Sequence, residues 1–214
     1  MRLLIAGLVA GLALAACDTL PTLPTFGLGS EDSPPVQSMA LADGRVVVGT
    51  PEGYCIDERT SRPRRGFVIM AGCALISGDP RMPQTDGLIT VQLGDEGTAS
   101  VGANPSALRN LLATADGAAL LSPSGDPTAI EVDDLEVGGN VVYVHFRDGG
   151  PPPVSGLEQL EWRAFLDLGD RLATVTVRGF ERAPISSADG LRLLRATVDT
   201  IRYATNTQGV ATDT

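Results

Sequence analysis

The chain has 214 residues, 43% of them hydrophobic and only 4% aromatic, and it carries 16 basic against 26 acidic residues. All 16 basic residues are arginine, which excludes the P-loop, the protein-kinase site, Schiff-base chemistry and Ser-Lys hydrolysis, all of which need a lysine. The acidic balance argues against a nucleic-acid partner, whose phosphates call for a basic face.

Arg2 precedes an uncharged run, Leu3 to Ala16, that ends in Leu14-Ala15-Ala16-Cys17. The run is too short to span a bilayer, which takes roughly 20 apolar residues. A charged start, an apolar middle and small residues at the end are the parts of a secretory signal peptide, which is removed and contributes nothing to the fold. The cysteine directly after the small residues resembles the lipobox of bacterial lipoproteins. That resemblance implies loss of residues 1–16 and lipid on the Cys17 sulfur. Several acyl chains on one residue anchor stably. The expected location is the cell envelope, lipid-anchored and facing the periplasm, at either the inner or the outer membrane. Without Arg2 the mature chain has 15 basic against 26 acidic residues, a net charge of −11.

Residues 17–35, rich in Pro, Gly, Thr and Ser and without periodicity, read as a tether. One domain is expected over residues 36–205, with a disordered tail at 206–214. Its first runs, "GRVVVG", "GYCID", "GFVIMAG" and "GLITVQLG", are short, β-branched and bounded by glycine, as strands are. Lipidation of Cys17 leaves Cys55 and Cys73, and an even remainder in an oxidising compartment suggests a disulfide between them. The alternative is two buried free thiols. Between these cysteines lies "DERTSRPRRG", where Arg59, Arg62, Arg64 and Arg65 run against the overall charge. Guanidinium groups bind phosphate and carboxylate bidentately, so these four are the candidate partner-binding residues, facing lipid head groups or an acidic protein surface. The competing reading is a solvated loop partly offset by Asp57 and Glu58.

"NPSALRNLLATA" predicts a helix of about three turns, with Asn104 as N-cap, Pro105 in the first turn and Leu108, Leu111 and Leu112 on one face. Two hairpins follow, turning at Gly138-Gly139-Asn140 and at Gly169-Asp170. "SSADGLRLLRATVDTIRYA" predicts a C-terminal helix opened by a Ser186/Asp189 capping box, with Leu191, Leu194, Val198 and Ile201 at helical spacing.

Hairpins outnumber helices, so the expected fold is α+β: a mainly antiparallel sheet of hairpins with covering helices. The order of elements is similar to the PsbP-like α/β/α sandwich family. The likeness rests on the early Pro51-Glu52-Gly53-Tyr54 turn, the long central hairpins and the closing helix, over roughly residues 45–203, and chiefly on Trp162 to Arg202. It implies accessory or partner-binding roles, and no site residue is carried over from it.

Catalytic signals are sparse. His145 is the single histidine, so a Ser-His-Asp or Cys-His arrangement must pass through it. It sits in a strand with Val141, Tyr143 and Arg147 on its face and Asp148 nearby, and the bland reading is a hydrogen-bonded strand histidine. No Gly-x-Ser-x-Gly elbow supplies a nucleophile. Glu131, Asp133, Asp134 and Glu136 lack the spacing of a calcium loop. Strict alternation sends the first two to one face and the last two to the other, unless a bulge intervenes, and a solvated edge strand is expected. Neither zinc spacing nor a histidine cluster is present, so no metal or cofactor is expected. The function read from sequence is a membrane-anchored, non-catalytic module with an envelope protein partner. The alternative is a periplasmic hydrolase using His145 or a carboxylate pair.

Overall fold

A computed structural model describes residues 34–208; Cys17, most of the tether and the chain beyond Gln208 lie outside the described residues. The described chain opens with a small antiparallel hairpin, β1 (Ser38–Leu41) and β2 (Val46–Gly49), that the sequence reading saw only in its second strand. It continues through β3 (Tyr54–Ile56), β4 (Phe67–Gly72), the one-turn helix α1 (Cys73–Ile76) and β5 (Leu88–Leu93). Helices α2 (Pro105–Leu112) and α3 (Ala115–Leu121) come next, then β6 (Ile130–Gly138), β7 (Val141–Asp148), β8 (Leu157–Leu168), β9 (Arg171–Phe180) and α4 (Ser187–Gln208).

Seven strands form one sheet in the order β3-β4-β5-β9-β8-β7-β6, with every neighbouring pair antiparallel. The fold is therefore the α+β, mainly antiparallel arrangement expected from the hairpin signals. β6 and β7 join through a two-residue turn, Gly139-Asn140, with φ of 56° and 59°. Both are left-handed, the conformation that a right-twisted hairpin needs and that Gly and Asn tolerate best. Gly138 is not part of the turn; it pairs with Val141.

The sheet buries both faces. On one, α4 lays Leu194, Val198 and Ile201 over Ile89, Val91, Ala164, Leu166, Val175 and Val177, and the β1–β2 hairpin extends that layer with Val46 and Val48. On the other, α2 and α3 cover Val142, Val144 and Phe146 with Leu112, Ala118 and Leu121. Burying an aliphatic side chain of this size contributes on the order of 2 kcal/mol, so these two layers hold the sandwich together.

The predicted three-turn helix is instead two helices. Asn104 caps α2 as expected, its Oδ1 accepting from the Ala107 N–H at 3.0 Å. Thr114 then ends α2 and starts α3: its hydroxyl donates to the Leu111 carbonyl at 2.7 Å and accepts from the Gly117 N–H at 3.2 Å. A side chain able to cap in both directions competes with helix continuation, and it wins here. Leu112 is buried and Leu108 packs on the same core, whereas Leu111, expected on that face, is 40% exposed.

At the N-terminus of α4 the capping box forms: Ser186 Oγ accepts from the Asp189 N–H at 3.1 Å and donates to Asp189 Oδ2 at 2.6 Å. At its other end α4 runs to Gln208, into what reads from sequence as the frayed tail. The reason is Thr205. Its hydroxyl accepts from the Val47 N–H at 3.2 Å and donates to the Val47 carbonyl at 3.1 Å, fastening the last turns to β2.

Cys55 and Cys73 are bonded, with their Cα atoms 4.8 Å apart across the β3–β4 hairpin and a sequence separation of 18. Restricting an unfolded loop of that size contributes about 3 kcal/mol. The Cys55→Ser/Cys73→Ser variant is therefore expected to lose about that much stability in urea unfolding, compared with the oxidised parent.

Candidate functional site

The arginine-rich segment is a built loop. Asp57 starts it, accepting from the Arg59 N–H at 3.0 Å and the Thr60 hydroxyl at 2.6 Å. Buried Ser61 ties it to the sheet, its Oγ accepting from the Ile69 N–H at 3.1 Å. Arg62 folds back and donates through Nη1 to the carbonyls of Arg59 (2.7 Å) and Ser61 (2.8 Å), so its charge serves the loop itself. Gly66 closes the loop at φ 66°, where a Cβ would come within 2.7 Å of the Leu93 carbonyl oxygen. All four arginines, Arg62 included, are exposed, and none of them has an ion-pair partner among the described residues. The sequence reading treated four arginines alike; the structure separates one that closes the loop from the other three.

The loop sits at the end of the sheet where β5 finishes and β9 begins. The Leu93 N–H donates to the Gly66 carbonyl at 2.8 Å, and the Gln92 side-chain amide to the Arg65 carbonyl at 3.1 Å. Arg171 donates to the Gly94 carbonyl at 3.0 Å, and both it and Arg45 pair with Glu96. The chain arriving from the N-terminus enters beside the same loop: the Val36 carbonyl accepts from the Ile56 N–H at 2.8 Å, one residue before Asp57.

His145 lies far from a nucleophile's environment. It is 7% exposed, stacked on Trp162 with ring centroids 4.7 Å apart, and its Nδ1 lies 2.7 Å from Asp133 Oδ1. Trp162 in turn donates through Nε1 to the Ser187 carbonyl at 2.9 Å, at the start of α4. The acid nearest in sequence, Asp148, points to the opposite face and accepts from the Gly150 N–H at 2.9 Å, so the expected proximity of His145 to Asp148 is not realised. His145, Glu158, Trp162 and Ser186 line a cavity of about 10 Å³, room for one water molecule at most. Glu158 accepts from the Ile185 N–H at 3.0 Å, and Ser186 is engaged in its cap. A wider cleft of about 310 Å³ lies between Gln84–Asp86 and Ala183–Asp189. Of its two acids, Asp86 and Asp189, the second is held below the usual carboxylate range by the Ser186 hydroxyl first and Arg192 second. This cleft is polar and does not supply the apolar pocket a small-ligand carrier needs.

The bulge that sequence reading left open is present in β6, between Val132 and Asp134. It puts Glu131, Asp134 and Glu136 opposite Arg147, His145 and Tyr143, on one face and not two. Asp133 is the inserted residue, free to turn its carboxylate to His145. A signal for it does exist in the sequence: Ile130 and Val132 keep one phase, Leu135 and Val137 the other. Glu136 pairs with Arg195 of α4, and β6 is the outer strand of the sheet, where charges oppose edge-to-edge association. Among the described residues no group of three or more His, Cys, Asp or Glu is placed to hold a metal ion.

The buried carboxylate that sequence reading missed is Glu161, 2% exposed, gripped by Arg178 on one oxygen and Arg163 on the other. Arg163 also donates to the Leu121 carbonyl at 3.3 Å, where a cation favours the C-terminus of α3. Burial lowers the pKa of both guanidiniums, with the Asp148 charge pulling the other way. Glu161 is thus committed to holding two arginines and leaves no free acid for glycosidase chemistry at that position.

No family model matches the chain, and no curated protein matches it. Among solved structures it is similar to the Ran-binding protein Mog1p of Saccharomyces cerevisiae, with a TM-score of 0.40 and 13% identity over 81% of this chain and 91% of that one. A mutant of Mog1 gives the same score and identity over 81% and 92%. Nothing is carried over to this chain from a likeness of that size.

Removing the Glu161 charge leaves two buried guanidiniums without their shared partner. Glu161→Gln is expected to cost about 3–5 kcal/mol, read as a lowered urea midpoint, while the exposed Asp134→Asn changes stability by less than about 0.5 kcal/mol.

Proposed function

We propose that this chain is a lipid-anchored envelope lipoprotein whose domain is a non-catalytic module that binds or helps assemble a partner, with the Arg59–Arg65 loop as the face that engages anionic groups. The observation that carries this reading is the loop itself. Its backbone is braced by Asp57, Ser61 and Arg62, while Arg59, Arg64 and Arg65 are exposed and have no ion-pair partner among the described residues. Rigid presentation of guanidiniums lowers the entropy lost on binding, which a mobile charged loop would not do. Lipid on Cys17, a periplasmic position and the PsbP-like resemblance over residues 45–203 belong to the same proposal.

The second reading, a periplasmic hydrolase, draws its one support from the Asp133 carboxylate beside the His145 ring. That pair orients an imidazole as a catalytic triad would. Its setting favours a structural role, because the ring is stacked on Trp162 and the adjoining cavity admits no substrate.

In-cell crosslinking of the tagged, lipidated protein separates the two readings. We expect one recurrent envelope partner, lost in an Arg59→Gln/Arg64→Gln/Arg65→Gln variant and retained in His145→Ala. No partner above background, or a partner and phenotype lost in His145→Ala with the fold intact, would contradict the proposal.

A further inference from the structure

The geometry points to what the arginine loop meets: we infer that Arg59, Arg64 and Arg65 rest on the phosphates of anionic lipid head groups in the bilayer that holds the anchor. This rests on the lipoprotein reading above and names the chemistry of its binding face.

Three observations carry it. The first is the end of the molecule from which the domain hangs. The chain that comes from Cys17 joins the fold at Val36, whose carbonyl is bonded to the Ile56 N–H at the root of the arginine loop. An anchor pulling on that point turns this end toward the membrane. The second is where the other cavities lie. The cleft formed by Gln84–Asp86 and Ala183–Asp189 precedes β5 and follows β9, whereas the loop packs where β5 ends. Cleft and arginines are therefore at opposite ends of the strands, and a domain seated on its arginines presents the cleft to the periplasm.

The third is charge. With a net charge of −11 after signal removal, the mature chain is repelled as a whole by an anionic surface. The loop gathers four arginines within seven positions against two acids, Asp57 and Glu58, a local excess of positive charge, and a guanidinium meets a phosphate with two parallel hydrogen bonds. Contact is thus confined to one end and fixes the orientation that the lipid alone would leave free. Arg62 differs from the other three in that its Nη1 is held by two loop carbonyls.

The test uses the full mature chain carrying Cys17→Ser, so that no acyl chain contributes, in sedimentation with vesicles of phosphatidylcholine alone or mixed with phosphatidylglycerol. Binding is expected only to the phosphatidylglycerol vesicles, falling steeply as salt is added. Arg59→Gln/Arg64→Gln/Arg65→Gln should bind on the order of 100-fold more weakly, with an unchanged near-ultraviolet circular dichroism spectrum that shows the fold intact. Equal binding to both vesicle types, or a triple variant that binds like the parent, overturns the inference. So does a loop that ignores vesicles while capturing an acidic protein in the crosslinking experiment. Palmitate labelling of Cys17 in cells reads the anchor separately. Labelled protein whose loop is indifferent to phosphatidylglycerol overturns the lipid contact alone; unlabelled protein with loop-dependent binding overturns the anchor and supports the contact.

Discussion

Strand β7 sets the terms for the rest of the molecule. Every residue from Val141 to Phe146 is buried, so this strand has no wet face. A sheet built around such a strand must be dried on both sides, and the chain meets that demand with α4 on one face and the α2–α3 pair on the other. The demand also reaches the polar residues. His145 lies in the middle of this dry run and has to find a partner there, because an unpaired buried polar group costs on the order of 1–3 kcal/mol. The bulge in β6 answers it by turning the carboxylate of Asp133 to the ring. What looks from sequence like a catalytic candidate is, in the fold, a buried residue stacked on Trp162 with one carboxylate, that of Asp133, beside its ring.

The same constraint sorts the charges. Glu161, Arg163 and Arg178 are trapped under the second layer and neutralise one another there. The remaining arginines are pushed to the rims. Some are answered by acids, as in the Arg45–Glu96–Arg171 cluster and the Arg195–Glu136 pair. Others have no ion pair among the described residues, Arg109, Arg147, Arg182 and Arg202 singly and the four arginines of the β3–β4 loop as a cluster. It is the clustering, more than the lack of ion pairs, that sets the loop apart, since surface ion pairs contribute little.

Much of the fold was legible because local chemistry and final structure agree: turn residues at Gly139-Asn140 and Gly169-Asp170, the Asn104 cap and the Ser186 box all work as their residue types suggest. The misses share a cause. Thr114 divides a helix through two hydrogen bonds of one hydroxyl, and Thr205 prolongs another by gripping a strand more than 150 positions away, at Val47. The β6 bulge is written in a phase slip that is visible only if alternation is tracked residue by residue. For the candidate site, sequence placed the arginines on a loop but not their division of labour, since Arg62 differs from its neighbours only in the carbonyls it reaches. Asp133 and the Arg178 half of the Glu161 site were missed because they act across strands, where sequence distance says nothing; Arg163, two positions from Glu161 on the same strand and face, was the local clue.

The account stands on the loop as the contact face and on the His145 end as structural. Hydrogen-exchange mapping of the protein in native membranes, set against the same protein released in detergent-free soluble form, tests this most directly. It predicts that slowing on the membrane is concentrated in residues 57–66, with the Ser186–Gly190 segment and the strand around His145 exchanging alike in both states. Protection at the cleft or around His145, with the arginine loop unchanged, would contradict it and return the molecule to the class of enzymes.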